Sequence, residues 1–145
     1  MLKHITTVAF LLALSWMPAL AAGEAHKLAL QVSDNDPEKM NAALNVAANV
    51  SKHYAEKGDE VEIQIVAFNA GLHMLRDDTS PVKERLQSFA SGMPNVAFKA
   101  CGNTLDAMAR KEGKKPGILP HAEIVPAGVV TLMELGKKGW TIIRP

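Results

Sequence analysis

Residues 26–47, HKLALQVSDNDPEKMNAALNVA, place a strand, a helix cap and the first half of a helix in immediate succession. The closely spaced apolar side chains at the start of this stretch predict a β-strand over residues 26–33. Asp36 then supplies an N-cap acceptor, Pro37 stands at the first helical position, and Glu38 adds an acid to the first turn. Further strand-then-helix units along the chain decide the fold.

The helix that begins at Pro37 is predicted to have one apolar face. Its apolar residues recur at steps of three and four, namely Met40, Ala43, Leu44, Ala47, Val50 and Tyr54. That spacing lines them up on one stripe, so we expect the stripe to pack against the sheet. Gly58 is expected to end the helix.

The rest of the chain continues the same alternation. Four more strands are predicted at residues 61–68, 96–100, 122–125 and 140–143. Three more helices are predicted, one begun by Ser80-Pro81 and ended by Gly92, the others at 104–112 and 128–138, and residues 69–79 are expected to be irregular. Regular alternation with short links predicts an α/β fold, a three-layer sandwich with a five-stranded, mainly parallel sheet flanked by helices.

In such sheets, ligands bind beyond the carboxyl ends of the strands, where the strand order reverses. If the order is the flavodoxin-like 2-1-3-4-5, the reversal lies between the first and third strands. Cys101, at the end of the third strand, would then face the loop that carries Asp34, Asn35 and Asp36.

Cys101 is the one cysteine of the chain, and it lies where a strand gives way to a helix. A helix N-terminus favours the thiolate, so Gly102 and the amides of Asn103 and Thr104 are expected to stabilise an anionic sulfur. Asp106 in the first turn, like the acids across the expected crevice, would raise the thiol pKa instead. A buried and inert thiol is the alternative that the residues leave open.

Several chemistries need residues that this chain does not present. A flavin or nucleotide site needs a glycine-rich phosphate loop, whereas the loop after the first strand is SDNDP at 33–37, whose carboxylates would repel phosphate. A thioredoxin-type exchanger needs two cysteines in Cys-x-x-Cys. We expect no cofactor.

Three further polar residues lie near the carboxyl edge by prediction. A cysteine hydrolase needs a histidine base, and His73 and His121 are the candidates, although an exposed position in a loop is the preferred explanation for each. Asn69 ends the second strand, where turn formation or ligand binding would account for it. No ligand spacing indicates a metal site.

The N-terminal residues are typical of a signal peptide. Lys3 lies in a short positive leader, residues 5–14 are almost wholly apolar, and Ala19 and Ala21 occupy the positions that a signal peptidase reads. We expect residues 1–21 to be removed and the rest to be periplasmic. The apolar run falls short of the roughly 20 residues that span a bilayer, so no membrane association is expected after cleavage; an uncleaved anchor is the alternative.

The charge balance limits the partners. The chain has 16 basic and 15 acidic residues, and removal of Lys3 leaves equal numbers. Nucleic acids and anionic lipids both bind basic surfaces, so neither is expected as a partner.

Three stretches resemble one family. FKACGNTL at 98–105, VPAGV at 125–129, and Gly139-Trp140 followed by Ile143-Arg144-Pro145 are similar to the DsrE/DsrF-like proteins, which include sulfur-relay subunits. The likeness spans residues 22–145. It implies a flavodoxin-like α/β subunit that assembles as a trimer or hexamer, with Cys101 at the position that carries sulfur as a persulfide.

These observations lead to two functional hypotheses. In the first, the exported protein carries persulfide sulfur on Cys101 and exchanges it with a donor or acceptor protein, with Gly102, Asn103 and Thr104 stabilising the sulfur. In the second, it is a small-ligand-binding or scaffold subunit of a homo-oligomer, and the cysteine only packs. Residues lining the expected crevice in either case are Asp34, Asn35, Asn69 and His73.

Overall fold

The structure, a computed structural model, describes Gly23 and residues 25–145. The predicted signal peptide, residues 1–21, lies outside the described residues. Within the described part, no helix is both long enough and apolar enough to cross a membrane.

The described residues contain five strands that form one sheet. The strands are β1 His26–Val32, β2 Val61–Ala67, β3 Val96–Cys101, β4 Ala122–Val125 and β5 Thr141–Ile143. All neighbouring strands are parallel, and their order across the sheet is β4-β3-β2-β1-β5. The predicted parallel α/β sheet is therefore confirmed.

Helices connect these strands. They are α1 Pro37–Lys57, α2 Lys83–Gly92, α3 Gly102–Glu112 and α4 Gly128–Lys137, with a 3₁₀ helix at Asn69–Leu75. The 3₁₀ helix occupies a stretch that was expected to be irregular. Helix α3 begins two residues earlier than predicted, because Cys101 is extended and Gly102 already starts the first turn.

Helix α1 begins and ends where its capping residues predict. The Asp36 carboxylate accepts hydrogen bonds from the amides of Glu38 and Lys39, at 2.9 and 3.4 Å. Gly58 closes the helix with φ 75°, a left-handed conformation that suits glycine. The expected stripe packs inward: Met40, Ala43, Leu44 and Ala47 are buried, and Val50 and Tyr54 pack partly buried beside them.

The sheet has helices on both faces. Side chains of α1, α2 and α3 share one core with Leu30, Ile63 and Phe98, which point to the first face. On the opposite face α4 packs Leu132 and Leu135 against Ala29, Val66, Phe68 and Cys101. Because the two faces are covered, the molecule has the predicted three layers.

The expected strand order 2-1-3-4-5 is wrong. In the structure β2 lies between β1 and β3, so the chain moves in one direction from β1 to β4 while α1, α2 and α3 stay on one face. Helix α4 then crosses the other face and delivers β5 beside β1. Parallel strands are linked with one handedness, so a return in the opposite direction requires the opposite face.

With this strand order, the topological switch point, the place where the order reverses, lies between β3 and β4. These strands are neighbours, and the helices that follow them, α3 and α4, lie on opposite faces of the sheet. A crevice opens where the chain leaves adjacent strands toward opposite faces. Cys101 ends β3 and therefore still lies at the switch point, but with α4 as its neighbour instead of the loop after β1.

Candidate functional site

A cavity of about 560 Å³ lies beyond the carboxyl ends of β3 and β4. Cys101 is among its lining residues. The other walls come from the end of β2, from α3 and from the start of α4: Phe68, Asn69, Asn103, Thr104, Ala107, Met108, Lys111, Ala127, Gly128, Val129 and Val130. The cavity thus lies between the N-termini of α3 and α4, and the Cys101 residue forms part of its wall.

The sulfur of Cys101 lies between the first turns of two helices, α3 and α4. The Gly128 amide, in the first turn of α4, donates to Sγ at 3.2 Å. From α3, the amides of Asn103 and Thr104 and the Thr104 hydroxyl lie near enough to lower the pKa of the thiol, while the Asn103 amide donates its hydrogen bond to the Pro126 carbonyl oxygen at 3.1 Å. N–H groups of a helix's first turn have no partner within the helix and carry the positive end of its dipole. One such end donates a hydrogen bond to the sulfur, and the other begins directly after Cys101.

These contacts decide the protonation of the thiol. Cys101 is only 5% exposed, and this burial is the largest single effect and raises its pKa. The Thr104 hydroxyl and the amides of Gly128, Thr104 and Asn103 act in the opposite direction, because each stabilises the anion. Together they outweigh burial, so the pKa of Cys101 lies below its usual value and favours the reactive thiolate.

Two glycines let the chain come close to the sulfur. A Cβ at Gly128 would lie 3.0 Å from the Cβ of Phe68 and 3.2 Å from that of Cys101. A Cβ at Gly102 would lie 3.0 Å from the carbonyl oxygen of Val125. Both are close approaches that only glycine accommodates without movement of its neighbours. Gly102 thus serves the site through its small size, at the junction of β3 and α3.

Asn69 joins the site from β2. Its φ is 49°, and among the described residues it is the one non-glycine in the left-handed region. Its main-chain amide donates to the Thr104 hydroxyl oxygen at 3.0 Å, and the residue lines the cavity. The structure therefore brings Asn69, Asn103 and Thr104 together around Cys101, as the sequence predicted.

The loop after β1 lies elsewhere. Asp34 accepts hydrogen bonds from Lys39 at 2.7 Å and from Arg144 at 2.6 Å, and these two cations lower its pKa. Asn35 is exposed in the same loop. Because β2 separates β1 from β3, neither Asp34 nor Asn35 lines the cavity at Cys101.

The two candidate histidines are also away from the sulfur. His73 lies in the 3₁₀ helix, where its Nδ1 is 2.8 Å from the Thr79 hydroxyl. His121 precedes β4, at the amino end of that strand, and its ring contacts Phe98 edge-on at 5.9 Å. Burial lowers the pKa of His121, whose Nε2 has no partner among the described residues. Neither histidine lines the cavity, so neither is placed as a base for the thiol.

Sequence reasoning missed the part of the site that comes from α4. The sequence places Gly128 at the start of a helix and in the VPAGV stretch but does not indicate its contact with the sulfur, although the N-cap residue Ala127 offers no capping side chain. The wall from α3 was detectable in principle: Thr104, Ala107, Met108 and Lys111 follow the three- and four-residue spacing of one helix face.

The chain was compared with known proteins. No protein-family model matches it, and no curated protein matches it. The structure is similar to that of a protein of unknown function, MTH1491, from Methanobacterium thermoautotrophicum, with a TM-score of 0.70. The two sequences are 24% identical, and the match covers 83% of this chain and 99% of that chain. At this identity the likeness shows the fold, a flavodoxin-like α/β sandwich.

Fold and site together define an α/β protein with a hydrogen-bonded thiol at the carboxyl edge of its sheet. The thiol accepts a hydrogen bond from the Gly128 amide at the start of α4. Among the described residues, no group of three or more histidine, cysteine, aspartate or glutamate side chains is arranged to hold a metal ion.

Proposed function

We propose that this protein is a sulfur carrier in which Cys101 holds a sulfane sulfur as a persulfide and passes it to an acceptor. One observation carries the proposal: the Cys101 sulfur lies between the N-termini of α3 and α4, accepts a hydrogen bond from the Gly128 amide and lines a cavity that opens to solvent. The proposal needs a thiolate that a donor can reach, and this arrangement favours one.

The transfer requires no external oxidant or reductant. The Cys101 thiolate attacks the outer sulfur of a donor persulfide, R–S–SH. A new S–S bond forms on Cys101, the donor's S–S bond breaks, and the donor leaves as the thiolate R–S⁻. The second step repeats this exchange in the direction of the acceptor. A thiol of lowered pKa is suited to both steps, since a larger share of it is thiolate at any given pH and the thiolate also leaves more readily.

The amides that stabilise the thiolate also suit the product. A persulfide at Cys101 is an anion one atom longer, and its outer sulfur would extend into the cavity of about 560 Å³. Lys111 lines that cavity and adds a cation to its wall. Because these hydrogen-bond donors are already held in position by the fold, they stabilise the anion without a reorganisation of water around it.

The sequence supports the same function. The runs at 98–105 and 125–129 that resemble the DsrE/DsrF-like proteins are those that meet at the sulfur: Cys101 and Thr104 lie in the first, and Gly128 lies in the second. Given the predicted signal peptide, we propose that the carrier works in the periplasm, with a sulfur donor or acceptor protein as its partner.

We also propose that the protein is a homo-oligomer, a trimer or hexamer. The outward face of α4 carries Val129, Val130 and Met133, which are 52%, 54% and 58% exposed. Helices on a protein surface normally turn polar residues outward, and a cluster of exposed apolar side chains is typical of an interface. Sedimentation velocity tests this: Met133→Glu should yield a smaller species than the wild type, and a monomeric wild type would contradict the proposal.

The second candidate is a binding or scaffold subunit in which Cys101 only packs. It is favoured by the burial of the cysteine, which is 5% exposed and lies in a cluster with Ala29, Val66, Phe68 and Leu132. In that function the cavity holds a small ligand and the thiol undergoes no exchange.

Mass spectrometry separates the two functions. The exported protein is isolated, incubated with inorganic polysulfide and treated with a persulfide-trapping alkylating agent, with Cys101→Ser as the control. We expect one added sulfur atom on Cys101 and none on the variant. A wild-type chain that takes up no sulfur, with a thiol that resists alkylation until the protein unfolds, would exclude the carrier. A small molecule that is retained in both chains would favour the binding subunit.

A further inference from the structure

The cavity at Cys101 extends along helix α3. Its wall on that side is one face of the helix, formed by Thr104, Ala107, Met108 and Lys111 at steps of three and four residues. Cys101 stands directly before the helix as its N-cap residue. An α-helix rises about 1.5 Å per residue, so the path from Cys101 to Lys111 follows the helix axis for about 15 Å. The cavity therefore has the thiol at one end and a lysine at the other.

Lys111 gives its end of the cavity a positive charge. Among the described residues that line the cavity, it is the one that carries a charge, and its ammonium forms no hydrogen bond or ion pair with another described residue. The acids near it in the sequence are bound elsewhere. Asp106 pairs with Lys115 at 3.1 Å, and Glu112 pairs with Arg76 at 2.7 Å. The cation is therefore available to a ligand.

A structural role at the end of the helix does not account for the position of Lys111. Basic residues in the last turn interact favourably with the helix dipole, and Arg110 and Lys111 both lie there. Arg110 meets that need without lining the cavity. The Cα–Cβ bonds of a helix lean toward its N-terminus, so a side chain that leaves the cavity face at Lys111 is inclined toward the thiol end.

The middle of the cavity is apolar. Ala107 and Met108 form one side of it, and Val129 and Val130 form the other. The volume of about 560 Å³ is typical of sites for small molecules. A ligand that fits these walls has a sulfur atom at one end, a short organic chain in the middle and an anionic group at the far end.

We propose that the cavity binds small organic persulfides whose chain ends in a carboxylate, and that Lys111 recognises this carboxylate. The inference rests on the proposed function, because it names the class of donor that loads Cys101. The Cys101 thiolate attacks the outer sulfur of R–S–SH, the new S–S bond forms on Cys101, and the donor's S–S bond breaks. The donor leaves as R–S⁻ with its carboxylate unchanged, so the step needs no further reactant.

Two donors that differ only in their carboxylates test the recognition. They are glutathione persulfide and the persulfide of glutathione diethyl ester, each incubated with the exported protein at low ionic strength. Mass spectrometry follows the rate at which Cys101 gains one sulfur atom. We expect the wild type to load about two- to fivefold faster from the acid than from the ester, the range of an exposed ion pair. Added salt should reduce this preference.

Variants of Lys111 show whether its charge is the cause. Lys111→Gln should load at equal rates from both donors, and Lys111→Arg should keep the preference for the acid. The ratio of the two rates is taken within each variant, so a change in the reactivity of the thiol cancels. Equal rates in the wild type, or an undiminished preference in Lys111→Gln, overturn the proposal.

Lys114→Gln is the matched control. Lys114 is also exposed and lies just beyond α3, but it does not line this cavity. Its replacement should leave the preference for the acid as in the wild type. If Lys114→Gln and Lys111→Gln reduce the preference equally, the net charge of the surface is the cause and the assignment to Lys111 is refuted.

A binding measurement separates this inference from the carrier function. S-methylglutathione has the same carboxylates but no sulfur to transfer. Its dissociation constant for Cys101→Ser, measured by NMR titration, should rise about two- to fivefold when Lys111→Gln is added. An unchanged constant refutes the recognition. Binding that depends on Lys111 in a protein that gains no sulfur from either persulfide would refute the carrier and retain the recognition. Equal loading from both donors would retain the carrier and refute the recognition.

Discussion

The amide of Gly128 donates to the sulfur of Cys101 across 3.2 Å, and this contact joins the start of α4 to the end of β3. Cys101 ends β3, and the helix that follows it, α3, covers one face of the sheet. Gly128 begins α4, which covers the opposite face. The site therefore exists only after α4 has packed on its face of the sheet. Variants of Gly128 should consequently affect folding and thiol chemistry together.

Gly128→Ala should destabilise the protein and raise the thiol pKa. The new Cβ would lie 3.0 Å from Phe68 and 3.2 Å from Cys101, in a packed layer, so the start of α4 must move away from the sulfur. Overpacking of this kind costs about 1–3 kcal/mol. Denaturant unfolding measures the loss in free energy of unfolding. The pH dependence of the rate at which iodoacetamide alkylates Cys101 measures the shift in pKa.

Gly136→Ala is the matched control in the same helix. Its Cβ would meet the end of the flexible Ile142 side chain at 3.3 Å, and alanine favours a helix over glycine by about 0.5–1 kcal/mol. We expect unchanged or increased stability and an unchanged pH dependence of Cys101 alkylation. Equal effects of the two variants would show that the contact with Cys101 is not the cause.

Gly71→Ala should prevent stable folding. A Cβ there would overlap the carbonyl group of Val32, with its carbon 2.5 Å away and the amide of Ser33 at 2.8 Å. These are backbone atoms of a strand end and cannot rotate aside, so we expect a loss of more than about 3 kcal/mol. Gly92→Ala, which meets no heavy atom within 4 Å, should unfold at the wild-type denaturant concentration. A soluble Gly71→Ala protein of wild-type stability would contradict the expected overlap.

Arg76 should make stability sensitive to acid. This guanidinium is 4% exposed and donates two hydrogen bonds each to Asp78 and Glu112, at 2.7 to 3.0 Å. The pairing lowers the pKa of Asp78 to about 2 and also lowers that of Glu112. Because these carboxyls bind protons more weakly in the folded chain, their stabilisation is present above about pH 4 and is lost as the pH falls toward about 2.

Arg76→Gln should remove that part of the acid sensitivity and also lower stability at neutral pH, since a buried bidentate partner is lost. Urea unfolding at a series of pH values gives both quantities. Lys137→Gln, which breaks an exposed pair with Glu134, is the control and should leave the pH dependence as in the wild type. A slope below pH 4 that is the same in Arg76→Gln and wild type would refute the assignment to this cluster.

Asp34→Asn should leave the thiol unchanged. The carboxylate is bound by Lys39 and Arg144 and is separated from β3 by β2, so it contributes little to the potential at the sulfur. We expect the wild-type alkylation profile and faster hydrogen exchange in β5, whose C-terminal neighbour Arg144 loses its partner. A Cys101 midpoint that moves to lower pH in this variant would show that the acid acts across the sheet.

Features that depend on neighbouring residues were predictable from the sequence. The cap at Asp36, the stop at Gly58 and the bounds of β4 at Ala122–Val125 agree with the structure. Caps, turns and periodicity act over a few residues, so they are visible in the chain itself. The same reasoning located Cys101 at the end of a strand and at the start of a helix.

Features that depend on packing between residues far apart in the chain were not predictable from the sequence. The expected neighbour of Cys101 was the loop at Asp34, whereas its neighbour in the structure is Gly128. The strand order decides between these two, and nothing in the alternation of strands and helices specifies which edge each new strand joins. The extended residue before α3 and the 3₁₀ helix that follows β2 likewise depend on contacts across the sheet.

The sequence by itself determined the alternation of strands and helices, the ends of most of them, and a single thiol next to a helix N-terminus, because these properties arise from local backbone and side-chain preferences. The tertiary structure decided that a second helix N-terminus would meet the same sulfur. That outcome depends on α3 and α4 covering opposite faces of the sheet. Which face a helix covers is determined only when residues far apart in the chain pack against each other and bury their apolar surface.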